Sequence, residues 1–258
     1  GQVIATAGRQ ITAGDIGMFA ASGVGTVSMH KRLRVGVLST GDELIEAGNT
    51  ASDGQIFDAN GPMLSALVDR WGFDLVDLGR APDNRETLRK ILDDGASRCD
   101  AILTSGGASA GAEDHISALL QGTGSFALWR IAMKPGRPLA LGMWDQTPIF
   151  GLPGNPVAAM VCALIFARPA LEVLAGGVWE TPAHYLVPAN FSKAKKAGRR
   201  EYLRARINAG QVEIFASEGS GRVSGLSWAT GLVELDDGAQ TIGIGDLVKF
   251  IPFSSFGL

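Results

Sequence analysis

One pattern limits what this chain can fold into more than any other. A short apolar, β-branched run stops at a turn of small or acidic residues, and a helical stretch follows. Residues 33–40, LRVGVLST, meet GDE; residues 72–79, GFDLVDLG, lead to APDN; CDAILT, from residue 99, enters SGGASAGAED; TPIF, from residue 147, enters GLPGNP. Between them lie helical spacings: residues 60–71, with Asn60 expected as N-cap and Pro62 in the first turn, then 83–98, then a shorter helix from about residue 113. The run from Asn155 to Leu174 also reads as a helix, which Pro169 is expected to bend or break. FALWRIAM and PLALGMW add further strands. Alternating strand and helix predicts an α/β domain with a mostly parallel sheet and helices on both faces. In such sheets ligands bind beyond the carboxyl ends of the strands, where the four special turns fall.

The expected domains are residues 1–31, a short N-terminal piece with one small helix; 32–176, the α/β domain; and 177–258, where short alternating runs such as EYLRARI, QVEIFA and DLVKFIPF predict a small all-β, barrel-like domain. Bulk properties exclude some classes. The net charge of −3 gives no sign of nucleic-acid binding. No stretch of about 18 uncharged apolar residues appears, so no membrane span is expected. The first residues lack the charged and apolar regions of a signal peptide, and Cys99 and Cys162 sit in apolar contexts as reduced core thiols, which together predict a cytoplasmic protein.

Several chemistries compete for the turns. GASAG, residues 107–111, fits a nucleophile elbow with Ser109 as nucleophile. That reading needs a histidine downstream, and only His115, six residues away, and His184, in the β region, follow. A phosphate cradle uses more of the residues: glycines let backbone N–H groups face an anion, and the helix just beyond adds positive potential. In MKPGRP, Lys134 and Arg137 lie three apart across a Pro-Gly turn, suited to gripping one anionic group, the arginine bidentately. Asp42, Glu43, Asp58, Asp83 and Asp114 are carboxylates that could meet above the sheet, hard oxygen donors of the kind Mg²⁺ takes. No Cys/His spacing suggests zinc. The basic run Lys193, Lys195, Lys196, Arg199, Arg200, Arg204 and Arg206 reads mainly as a solvated strand pair, and EGSGRVSG, residues 218–225, as a loop over a ligand or a hairpin turn.

Taken together, STGDEL, GQIFDAN, TSGGASAGAEDH, MKPGRP and GLPGNPVAA, in this order, closely resemble the molybdopterin molybdenumtransferase (MoeA) family, to which the E domain of gephyrin is related. The resemblance runs from about residue 10 to the end. It implies a molybdopterin-binding α/β domain followed by a β-barrel-like domain, and insertion of molybdate into adenylylated molybdopterin, with AMP released and Mg²⁺ assisting. On the matching motifs, Glu43, Asp83 and Asp114 fall on the family's functional acids, catalytic and metal-holding. Lys134 and Arg137 fall on its basic pair, with Arg where Lys is more usual. Ser105, Gly106, Gly107, Ser109 and Gly111, with Asn155, form the substrate side, and Arg199 and Ser220 match ligand-facing residues of the C-terminal domain. Ala158 stands where the family commonly has Ser. The resemblance further implies a homodimer, a molybdopterin adenylyltransferase as donor of the substrate, and an N-terminal region of which residues 1–31 are only the tail. A molybdopterin adenylyltransferase-like enzyme and a non-catalytic binding scaffold are the alternatives; the β region and GLPGNP turn count against the former.

Overall fold

The computed structural model describes residues 3–106, 115–122, 126–217, 219 and 222–258. Helix α1 (Ala13–Ala21) opens the chain behind a capping box in which Thr12 and Asp15 bond each other's backbone N–H groups. The α/β part then runs β1 (Arg34–Thr40), β2 (Leu44–Ile45), β3 (Ile56–Phe57), α2 (Asn60–Arg70), β4 (Asp74–Ala81), α3 (Arg85–Arg98), β5 (Ala101–Ser105), α4 (His115–Gln121), β6 (Phe126–Arg130), β7 (Met133–Lys134), β8 (Pro138–Trp144), β9 (Thr147–Leu152), α5 (Pro156–Cys162) and α6 (Arg168–Leu174).

The main sheet has the order β4-β1-β5-β9-β8-β6. Its first four strands are parallel; β8 and β6 are antiparallel to their neighbours. Strand alternation sorts side chains onto two cores. Val35, Val37, Leu103, Phe150 and Leu152 face α2, α5 and α6, while Leu38, Ile102 and Ile149 face α3 and α4. Each fully buried Leu, Ile or Val there contributes about 1.5–3 kcal/mol relative to exposure. Helices thus cover both faces, as the strand–helix alternation predicts.

Pro169 does not end the last helix. It lies in the first turn of α6, and the preceding Ala163–Ala167 widen into a π-helical turn. That turn absorbs the missing N–H and the ring's clash with the carbonyl four residues back. The continuous 156–174 helix is long and apolar enough to cross a membrane, with a mean hydropathy of 2.0, although Arg168 and Glu172 interrupt the apolar run. Burial of 61% of that stretch inside the protein, with Leu164, Ala167 and Leu171 at 0–2% exposure, makes it a core helix.

The remaining strands are β10 (Tyr185–Pro188), β11 (Lys193–Lys195), β12 (Arg200–Asn208), β13 (Gln211–Ile214), β14 (Gly231–Leu235), β15 (Gln240–Ile242) and β16 (Leu247–Pro252), with a short helix α7 (Ser224–Trp228). Five of them form a sheet in the order β10-β16-β14-β12-β13. A bridge between Ala189 and Val212 brings the two outer strands together, which rolls the sheet into a barrel-like shape. Val187, Leu203, Val212, Val233 and Phe250 fill its interior.

This barrel is joined firmly to the α/β part. The β7 strand pairs in parallel with the start of β12, Met133 opposite Arg200 and Lys134 opposite Glu201. The Trp71 indole N–H donates to the Phe256 carbonyl at 2.9 Å, and Arg168 donates to Ser255 O at 3.0 Å. Tyr202, Leu232, Ile251 and Phe256 share one apolar core with Leu164 and Leu171.

Candidate functional site

The carboxyl ends of β1, β4, β5 and β9 lie side by side, because Thr40 pairs with Ala81, Ser39 with Ser105, and Ser105 with Leu152. The turns that follow are therefore neighbours. Antiparallel β8 begins at the same edge, since Ala140 opposes Gly151, and so the MKPGRP turn joins them.

Hydrogen bonds tie these turns together. Gly41 N–H donates to Ala81 O (3.2 Å), and Asp83 N–H to Asp42 Oδ1 (2.9 Å), so the STGDE and APDN turns form one unit. Glu43 and Asp83 stand exposed on it. Gly106 N–H donates to Leu152 O (3.1 Å), and the Thr40 hydroxyl to Ser105 O (3.4 Å). Gly106 has φ +91°, and a Cβ there would sit 2.6 Å from Thr40 Oγ1, so only glycine fits. Ser105 is 1% exposed; its hydroxyl accepts from the Asn60 amide instead of lying open to solvent. Asn155 caps α5, its Oδ1 accepting from Val157 and Ala158 N–H, which gives its side-chain oxygen a role in the fold.

Two sequence expectations are corrected here. Asn60 is not the N-cap of α2. Asp58 satisfies the first turn, its Oδ1 accepting from Asn60 and Gly61 N–H at 2.9 Å each. Asp58, 8% exposed, is accordingly a structural carboxylate and not one of the acids gathered above the sheet. The Asn60 side chain turns inward and donates to Ser105 Oγ and to Gly154 O, both at 2.6 Å.

The MKPGRP turn is pressed against α5. Gly136 has φ +95°, and a Cβ on it would lie 2.5 Å from Cys162 Sγ. The following Arg137 is exposed. Lys134 lies 3.8 Å from Glu201 Oε1, whose other oxygen is 3.4 Å from Lys193. Arg199 is exposed just before β12, and Arg200 N–H donates to Ala132 O, so the barrel places Arg199 beside the same turn. Gly107, Ser109, Gly111, Asp114 and Ser220 lie outside the described residues.

The basic run is not the solvated strand pair the sequence suggests. Lys195 is 5% exposed and donates to Lys196 O and Gly238 O. Arg204 is 6% exposed, with burial holding its pKa below the usual guanidinium value. Its guanidinium stacks on Phe215 and donates to the carbonyls of Ser217, Gly219 and Arg222. The carbonyls of Ser217, Gly219 and Arg222 on the glycine-rich loop thus gather on Arg204. A period-2 signal is present: Arg204 follows Tyr202 by two residues and so shares the strand face that packs against the α/β part. Burial, more than the nearby Glu234, pushes the Tyr202 hydroxyl up to about 12, and burial pushes the Cys162 thiol up to about 12. Cys99 is raised too, chiefly by burial. Neither thiol is an ionised nucleophile at neutral pH.

Among the described residues, no group of three or more His, Cys, Asp or Glu side chains could hold a metal ion by itself. An edge offering two exposed carboxylates and a cationic turn suits a phosphorylated ligand that brings further oxygen donors.

Comparison with known proteins identifies the family. Residues 36–173 match the probable molybdopterin-binding domain, and residues 187–253 the MoeA C-terminal region (domain IV). The molybdopterin molybdenumtransferase of Haemophilus influenzae is 34% identical over 260 residues, covering 98% of this chain and 64% of that protein. Molybdopterin molybdenumtransferase 2 of Mycobacterium tuberculosis is 32% identical over 246 residues, covering 92% of this chain and 61% of that protein. The crystal structure of the molybdopterin biosynthesis MoeA protein from Pyrococcus horikoshii superposes with a TM-score of 0.83 at 25% identity, over 98% of this chain and 62% of that one. The chain therefore spans less than two thirds of the length of these relatives. With both domain matches in sequence order and a relative aligned along nearly all of it, the chain belongs to the molybdopterin molybdenumtransferase (MoeA) family and corresponds to its C-terminal portion.

Proposed function

We propose that this chain binds adenylylated molybdopterin at the strand-end edge and takes part in inserting molybdate into it, with release of AMP. The observation that carries this reading is the meeting, at one edge of the sheet, of four turns and of the end of β5 at Ser105 and Gly106. In this reading the glycine segment beginning at Gly106 receives the phosphate. Lys134 and Arg137 balance its charge, Arg137 as a bidentate donor. Arg199 and Ser220 are the contributions of the barrel side. Glu43, Asp83 and Asp114 are the acids beside the reacting groups. Glu43 and Asp83 fit magnesium: they are exposed carboxylates on linked turns, and this ion takes one or two carboxylates with substrate phosphate and water. Bound there, magnesium would neutralise phosphate charge as AMP departs. The same reading includes a homodimer, a molybdopterin adenylyltransferase as donor of the substrate, and a cytoplasmic setting, which the unpaired, buried Cys99 and Cys162 support.

The test is titration of adenylylated molybdopterin and of molybdopterin into the chain, with and without Mg²⁺ and molybdate, followed by pterin fluorescence and AMP release. Saturable binding is expected. Asp114→Asn should impair molybdate insertion while leaving affinity in place. Absence of saturable binding by the wild-type chain refutes the reading.

A further inference from the structure

We propose that Asn60 is a positioning residue of the strand-end site, setting the spacing between the end of β5 at Ser105 and Gly106 and the GLPGNP turn. The proposal rests on the molybdopterin reading of that edge.

Asn60 is 7% exposed at the start of α2, a place where asparagine ordinarily caps the helix from the surface. Asp58 already caps this one, which frees the Asn60 amide for other work. Both of its hydrogens are used, on partners 45 and 94 residues away in sequence: Ser105 Oγ and Gly154 O. Ser105 ends β5, and Gly154 follows the end of β9. One planar NH₂ group therefore spans two turns at its own fixed width. Alanine or leucine could fill the volume but could not set that width.

The polarity retained here costs stability. Asn60 Oδ1 and the neighbouring Ser39 Oγ are buried without a hydrogen-bond partner among the described residues. Buried, unsatisfied oxygens are destabilising, and residues that break this rule in an otherwise apolar core concentrate at functional sites. The packing also prevents drift. A Cβ at Gly61 would sit 2.6 Å from Asp58 Oδ2 and 2.9 Å from Ser39 Oγ, so β1, the Asp58 cap and α2 meet with no slack.

The experiment measures molybdopterin affinity and the fluorescence spectrum of the bound pterin, well below the melting midpoint, for wild type, Asn60→Ala, Ser105→Ala and the double variant. A scaffolding role would lower the midpoint and leave affinity and spectrum of the folded protein unchanged. A positioning role lowers affinity by roughly tenfold in Asn60→Ala, the scale of one buried hydrogen bond, and shifts the pterin spectrum at saturation. Because Asn60 acts partly through Ser105, the double variant should lose less than the product of the two single losses. If Asn60→Ala does not fold, Ser105→Ala decides: weakened affinity supports the proposal and wild-type affinity overturns it. Folded variants that bind like wild type overturn the proposal alone. A wild-type chain that fails to bind overturns the molybdopterin reading, and the proposal with it.

Discussion

Gly136 is the residue on which the placement of the cationic turn depends most directly. Replacing it by alanine adds one methyl group and two separable costs. The backbone is at φ +95°, where an L-residue is disfavoured by about 1–2 kcal/mol. The new Cβ would also lie 2.5 Å from Cys162 Sγ and 3.2 Å from Met133 Cε, an overpacking worth about 1–3 kcal/mol. Cys162 is fully buried and residues 157–161 are buried with it, so neither can step aside. The sum, roughly 2–5 kcal/mol, should lower the melting midpoint by about 4–20 °C at roughly 2–4 °C per kcal/mol for a chain of this size. Guanidinium unfolding followed by tryptophan fluorescence measures it. The clash and the backbone strain are separated by adding Cys162→Ala, which alone costs about 1 kcal/mol for its small cavity. With the sulfur gone, the methyl has room. The double variant should be more stable than the sum of the singles by about 1–3 kcal/mol, and the backbone cost should remain. Strictly additive losses, or a Gly136→Ala protein with the wild-type midpoint, would refute the argument that this turn is seated against α5.

Other consequences can be measured. Trp71→Phe deletes the indole N–H that holds Phe256 O, which should cost about 1 kcal/mol and speed amide exchange over residues 253–258 in hydrogen-exchange mass spectrometry. Ser39→Ala removes a buried hydroxyl with no partner among the described residues and should raise the unfolding free energy by up to about 1 kcal/mol; a clear loss would show that the hydroxyl is satisfied. The Arg34 guanidinium, by hydrogen bonding, holds the Asp100 carboxyl below its ordinary 3.8. A depressed carboxylate stabilises the fold above its unfolded pKa, and this is lost as pH falls through the folded value. The lead of wild type over Asp100→Asn in denaturation midpoint at about pH 6 should therefore shrink as the pH falls below 3.8, and an undiminished lead in acid would contradict the assignment.

What could be read from the sequence was whatever depends on short range. The strand-to-turn junctions were legible because alternation and glycine report on the backbone locally, and their gathering at one edge follows from parallel topology. Asn60 escapes such a reading for the same reason: Asn-Gly-Pro satisfies every local criterion for a cap, while its actual partners lie 45 and 94 residues away. Lys195 and Arg204 looked solvated in a stretch rich in charge. Only the folded barrel supplies the carbonyls that make their burial tolerable. Pro169 was correctly placed as a disturbance, but whether a helix breaks or widens depends on the packing around it, here the core that encloses Leu164 and Leu171.

The pairing of β7 with β12 has a mechanical consequence. Two residues of backbone ladder anchor the cation-bearing turn to the barrel, and a common apolar interior lies behind them. The barrel cannot swing as an independent flap without peeling that ladder apart and wetting Tyr202, Leu232 and Ile251. Any opening and closing around a ligand must then come from the loops themselves, with the two halves travelling as a single rigid casting.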